Sequence, residues 1–160
     1  RDYVALVTFR GAGAELTLPP TRSLVRAKRC LAGLPGGGGT PLAAGLDAGL
    51  EVALDSLRQG RTPRLIVLSD AQANVGYAPA GGRAAAREDA LAAGSRIKLS
   101  GVSGLVVDTS PRRGAMKSVG PSRAADLAAA MGAPHLSLPY PSADGLKALV
   151  GGPLAHRRAS

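Results

Sequence analysis

The run Pro35-Gly36-Gly37-Gly38-Gly39-Thr40-Pro41 constrains this chain more than any other stretch. Four consecutive glycines are expensive to order, because glycine loses more backbone freedom on folding than any other residue. A fold that orders them needs a close backbone approach or φ values that other residues avoid. A helix start follows: Thr40 is placed to act as N-cap, and Pro41 suits the first helical position. The loop therefore delivers a threonine hydroxyl to the positive end of a helix dipole. What that hydroxyl faces is the central question.

The segments around the run alternate between strand and helix. Tyr3-Val4-Ala5-Leu6-Val7-Thr8-Phe9 is a nearly continuous apolar run, as in a strand buried on both faces. After a turn at Gly11 and Gly13, Glu15-Leu16-Thr17-Leu18 reads as a short edge strand hairpinned onto the first and stopped by Pro19-Pro20. Thr21 or Ser23 caps a helix whose apolar positions are Leu24, Ala27, Leu31 and Leu34, with Cys30 beside them as a packing residue. The helix from Thr40 to Leu57 buries Leu42, Leu46, Leu50, Ala53, Leu54 and Leu57. On another face Asp47, Glu51 and Asp55 recur every four residues, a solvated stripe or a surface for a basic partner.

Further along, Arg64-Leu65-Ile66-Val67-Leu68-Ser69-Asp70 is a second buried strand ending in an acid. A small-residue loop, 71–82, leads to a helix over 83–99 with Ala86, Ala90, Ala93 and Ile97 inward and Gly94 as a weak point. Gly104–Asp108 is a third core strand, and Thr109–Pro121 is a loop carrying Arg112, Arg113 and Lys117. Ser122 opens a helix that Gly132 closes after Met131, His135–Leu138 is the last strand, and 142–150 forms a final helix. Residues 151–160 read as a disordered tail. Strands alternating with helices imply an α/β, three-layer architecture with a mostly parallel Rossmann-like sheet and helices on both faces.

Composition narrows the function. The 160 residues suffice for one domain, and 45 % apolar content permits a core, built from Leu, Val and Ala because aromatics are only 2 %. No run approaches the ~18 apolar residues of a membrane span. A single cysteine rules out an internal disulfide framework and fits a reducing compartment. The net charge of +9 divides into +3 over residues 1–80 and +6 over 81–160. With no aromatics for base stacking and no continuous basic stripe, that charge points to an acidic protein partner rather than nucleic acid.

Several chemistries fail on spacing. A phosphate-binding loop needs a lysine before its Ser/Thr, and Gly39-Thr40-Pro41 has none. The dinucleotide fingerprint follows a first strand, whereas this run follows a helix. No Gly-x-Ser-x-Gly surrounds Ser69, and one cysteine with two distant histidines cannot make a zinc site. What remains is the Thr40 hydroxyl and the Asp70 carboxylate, both expected at the carboxyl-end rim of one sheet, where open α/β sheets bind ligands. Hard oxygen donors suit Mg²⁺ or Mn²⁺. The alternative is structural: a tight helix entry and a capping carboxylate.

The blocks Val4–Gly11, Leu18–Ser23, Leu31–Ala43 and Leu68–Asn74 resemble the von Willebrand factor A (integrin I-type) domain of the magnesium chelatase D subunit. The likeness extends through most of the chain. It implies a metal-ion-dependent adhesion site (MIDAS), with Thr40 matching the family's threonine and Asp70 its aspartate, and Gly36, Gly37, Gly38 and Gly39 shaping the threonine loop. Ala71 departs from the family, which commonly has glycine there. No Asp-x-Ser-x-Ser occurs. The resemblance therefore implies that this loop, with the first strand and helix of the fold, lies upstream of Arg1, and that residues 1–150 are an incomplete domain.

For function, the resemblance implies an assembly module with no catalytic site of its own. Its expected partners are an AAA+ ATPase subunit and a porphyrin-binding subunit, which together insert Mg²⁺ into protoporphyrin IX using ATP, on the way to chlorophyll and bacteriochlorophyll. ATP enters only through that wider complex. The expected compartment is the bacterial cytoplasm, or the plastid in a plant. A cobalt chelatase relative without a tetrapyrrole magnesium role is the alternative.

Overall fold

The computed structural model describes residues 2–34, 38–110 and 122–137. Their elements, in chain order, are β1 (Val4–Arg10), β2 (Gly13–Thr21), α1 (Leu24–Ala32), α2 (Leu42–Arg58), β3 (Arg64–Ser69), α3 (Gly82–Ser100), β4 (Ser103–Asp108), α4 (Arg123–Met131) and β5 (His135–Ser137). A single 3₁₀ turn, Pro79–Gly81, precedes α3. The expected helix over 142–150, the tail over 151–160 and most of the loop over 109–121 lie outside the described residues.

The fold is α/β, as the alternation of strand and helix implies. Its strands form two groups: β1 and β2 as an antiparallel hairpin, and β3, β4 and β5 as a parallel sheet in that order. In the parallel group the register is unbroken, with Ile66 opposite Leu105, Val67 opposite Val106 and Ser69 opposite Asp108. Strict alternation then sorts the side chains by face. Val67 and Val106 join the core under α2 and α4, together with Leu42, Leu46, Ile97, Leu127 and Met131. Leu105 and Val107 turn the other way and pack with Ile66 and Leu136.

The hairpin departs from expectation in two places. Pro19-Pro20 does not stop β2, which runs on to Thr21. Proline lacks the N–H that a central strand must donate, but at a sheet edge nothing is lost. The strain appears instead as register shifts between Val4 and Val7. In α1, only Ala27 of the expected apolar stripe is buried. The cap is Ser23, whose side chain accepts from the Arg26 amide.

Gly94 has a packing reason rather than being a weak point. A Cβ there would stand 3.2 Å from both Ala130 Cβ and Met131 Cγ, so the missing side chain is what lets α3 and α4 approach. α3 ends at Gly101 in the left-handed conformation, a common helix stop.

Candidate functional site

Three loops meet at the carboxyl end of the strands. The glycine run is pinched between two of them: the Gly11 amide donates to the Gly39 carbonyl at 3.0 Å. A Cβ at Gly39 would lie 2.6 Å from the Gly11 carbonyl oxygen and 2.7 Å from a Val75 methyl. Backbone approach this close excludes every side chain, which accounts for a glycine at this position. Gly38 adds a positive φ of 97°. Gly36 and Gly37 lie outside the described residues.

Thr40 does not cap α2. The helix begins at Leu42 with Pro41 in the cap position and no side-chain cap bond. The physical reason is that Asn74 has captured the Thr40 backbone. The Thr40 amide donates to Asn74 Oδ1 at 2.6 Å. In return the Asn74 amide donates to the Thr40 carbonyl at 3.3 Å. The Thr40 hydroxyl itself has no hydrogen-bond partner among the described residues.

Asp70 follows directly on β3 and is half-buried. Its Oδ1 accepts from the Gln72 amide at 3.1 Å, a local turn that fixes the side chain and leaves Oδ2 available. Ala71, next in line, is buried and holds a φ of 53°, in the left-handed region that glycine occupies readily. The Ser69 side chain holds it there, and the Ser69 carbonyl ties the strand end to the loop after β4. Ser69 Oγ accepts from the Ala71 amide at 3.0 Å, and the Ser69 carbonyl accepts from the Thr109 amide at 3.2 Å.

The loop after Asp70 is also anchored at its far end. The Tyr77 amide donates to Asp89 Oδ2 at 2.8 Å, and the Tyr77 hydroxyl donates to Asp47. Arg96 reaches the same carboxylate with Nε at 3.1 Å and Nη2 at 2.8 Å. Burial, followed by the neighbouring Asp47, pushes the Tyr77 hydroxyl up to about 12. The acidic stripe on α2 is therefore not a uniform free surface. Asp47 is committed to Arg96 and Tyr77, Asp55 to Arg58, and Glu51 is exposed.

A second carboxylate, Asp108, ends β4 beside Ser69. Burial opposes its charge, but hydrogen bonds from Ser110, the nearby His135 and a bond from Ser122 outweigh that and hold the carboxyl below its ordinary range. The Ser110 amide donates to Oδ1 at 2.9 Å, and the Ser122 hydroxyl to Oδ2 at 3.4 Å. Asp108 thus ties β4 to the cap of α4.

Thr40 and Asp70 stand out in the sequence as oxygen donors; Asn74, Ser69 and Asp89 do not. Asn74 carried the one available signal, an asparagine four residues past a strand-end acid in a loop of small residues. Among the described residues no cluster of three or more His, Cys, Asp or Glu exists. One carboxylate and one hydroxyl fit the hard-oxygen chemistry of Mg²⁺, which keeps several waters, and do not fit zinc.

No protein-family profile matches the chain. Over 151 residues it is 47 % identical to the magnesium-chelatase 60 kDa subunit of Cereibacter sphaeroides, covering 94 % of this chain and 26 % of that protein. The 60 kDa subunit of Rhodobacter capsulatus is 37 % identical over 155 residues, with 96 % and 26 % covered. An uncharacterised protein of Methanocaldococcus jannaschii is 32 % identical over 118 residues, with 70 % and 63 % covered. The chain thus spans about a quarter of the length of the chelatase relatives.

Two solved structures share the fold. BatB from Bacteroides thetaiotaomicron has a TM-score of 0.62 at 18 % identity, covering 92 % of this chain and 76 % of its own. The SpRpn10 VWA domain has a TM-score of 0.61 at 14 % identity, covering 99 % and 76 %. The chain has the von Willebrand factor A fold and is related in sequence to the magnesium-chelatase 60 and 67 kDa subunits.

Proposed function

We propose that this chain is a metal-dependent interaction and assembly module of a magnesium chelatase D-type subunit. Its sequence likeness to the 60 kDa subunits supports the chelatase assignment. One observation carries the metal reading: reciprocal bonds at Asn74 join the loop of Thr40 to the loop of Asp70, and the Thr40 hydroxyl has no partner among the described residues. Thr40 and Asp70 would hold Mg²⁺ or Mn²⁺. Bound there, the ion supplies an open coordination position and residual positive charge, which an Asp or Glu of a partner subunit can fill.

The chain's own residues do the positioning. Asn74 fixes the Thr40 backbone, the absence of a side chain at Gly39 admits the neighbouring loops, and the Gln72 amide orients Asp70. The role assigned to this rim is assembly, through the open coordination position of the ion. The ATP-driven insertion of Mg²⁺ into protoporphyrin IX belongs to the wider complex, with the AAA+ and porphyrin-binding subunits as partners and that Mg²⁺ as substrate.

The break between β1 and β3 supports an incomplete sheet. Both strands carry apolar runs, yet neither pairs with the other among the described residues. We read the break as the seat of a strand supplied from upstream of Arg1. The test uses the full polypeptide and its chelatase partner subunits. Mg²⁺ is expected to strengthen partner binding, and Asp70→Ala to abolish that gain. Equal Mg²⁺ enhancement in the variant would overturn the metal-bridge reading.

A second reading has its own support. The Methanocaldococcus jannaschii relative is covered over 63 % of its length, so a related domain also occurs in a much shorter protein. The domain therefore recurs outside the long chelatase subunits, and the second reading is a binding module of another AAA+-associated complex, such as a cobalt chelatase relative. Chelatase assays with magnesium and cobalt on the reconstituted complex separate the two.

A further inference from the structure

α1 is a surface element of unusual composition. Leu24 and Val25 are 66 % and 67 % exposed, Leu31 is 54 % exposed, and Leu34 just beyond the helix is 40 % exposed. The same stretch is strongly basic: between Glu15 and Asp47 no acidic residue occurs, while Arg22, Arg26, Lys28 and Arg29 all do. All four are exposed, and none pairs with a carboxylate among the described residues. Arg22 also stacks on Tyr3 at 4.6 Å from the ring centre, and Arg61 on the same ring at 4.1 Å. Those contacts bring a fifth cation to the patch.

We infer that α1 and its flanks form a docking surface for an acidic, amphipathic protein segment. Its carboxylates meet Arg22, Arg26, Lys28 and Arg29, and its apolar side chains cover Leu24, Leu31 and Leu34. Charge complementarity selects this occupant. A second copy of the chain is a poor match, because Asp47 and Asp55 of its acidic stripe are already held by Arg96 and Arg58. Nucleic acid fits no better, since the ring of Tyr3 is occupied by arginines and leaves no stacking platform. Against a lipid surface, Lys28 sits one helical turn from Leu24, Leu31 and Val25. It divides the apolar area into narrow rows rather than the broad face that interfacial helices bury. The surface does not involve Thr40 or Asp70 and stands whether or not they bind metal.

The experiment uses the full polypeptide and a fluorescein-labelled helical peptide with Leu at i, i+3 and i+7 and Glu at its other exposed positions. A matched peptide with Gln for Glu serves as control. The Glu peptide is expected to bind in the presence of EDTA and to protect residues 24–34 from hydrogen exchange. Binding is expected to weaken about tenfold in the exposed double variant Lys28→Glu/Arg29→Glu, and separately in Leu24→Ser. Equal binding of the Gln peptide overturns the inference. So does a stretch 24–34 already protected in the free polypeptide, because one of its own segments then covers the surface. Self-association lost in the double variant, or phosphatidylserine vesicles binding where the peptide does not, contradicts it as well.

Discussion

In α3 the residues at helical spacing, Ala86, Ala90, Ala93 and Ile97, are all buried, whereas in α1 and just beyond it the same kind of spacing leaves Leu24, Leu31 and Leu34 in solvent. The sequence patterns are alike, but the surroundings differ. α3 lies against α2 and α4, and Gly94 draws it close to α4. Among the described elements α1 packs mainly against the hairpin β1–β2, which has a shifted register and few buried side chains. Periodicity says where an apolar stripe runs along a helix. It does not say whether a second layer exists to receive it.

Stability measurements sharpen this contrast. Leu127 is 1 % exposed in the core, so Leu127→Ala is expected to cost about 2–5 kcal/mol in urea unfolding. Leu24→Ala in α1 is expected to stay within about 0.5 kcal/mol. Comparable losses at both sites would erase the distinction between the two regions.

Asp108 tests the parallel half in a different way. Its folded value lies below the ordinary one, so its stabilisation is present above the unfolded value of 3.8 and is lost as pH falls through the folded value. Asp108→Asn is therefore expected to destabilise the protein by about 1–3 kcal/mol at neutral pH, with the difference shrinking in acid. A pH-independent difference would show that packing, not charge, is what Asp108 contributes.

A smaller effect marks the loop that follows Asp70. Tyr77 titrates near 12 against an ordinary 10.0, so its contribution to stability is complete below 10 and fades as pH rises toward 12. Ultraviolet titration is expected to show one late-ionising tyrosine that disappears in Tyr77→Phe, with little change in stability at neutral pH. Loss in the variant of a tyrosine that ionises at the ordinary 10.0 would mean that the contact with Asp47 and Arg96 does not govern this hydroxyl.

Much of the fold was readable because long apolar periodicity is a strong signal. The strand at 64–69, the helix over α3 and the Ser122 cap of α4 emerged close to their observed bounds. The misses have a common cause: tertiary partners overrode local chemistry. Thr40 has cap chemistry, but Asn74, thirty-four residues away in sequence, claims its backbone. Pro19-Pro20 has breaker chemistry, but an open edge tolerates it. Asp47 resembles a free surface acid until the fold brings Tyr77 and Arg96 to it. The proposed donors, Thr40 and Asp70, stand out in the sequence, whereas the residues that hold them do not.

Thr40 and Asp70 are proposed to hold a divalent ion together. Mn²⁺ binding to the full polypeptide, followed by electron paramagnetic resonance of the free ion, tests it directly. The wild-type chain is expected to take up Mn²⁺ with competition by Mg²⁺, Asp70→Ala to weaken uptake by about tenfold or more, and Thr40→Ala to weaken it less. Wild-type affinity in Asp70→Ala would contradict the claim.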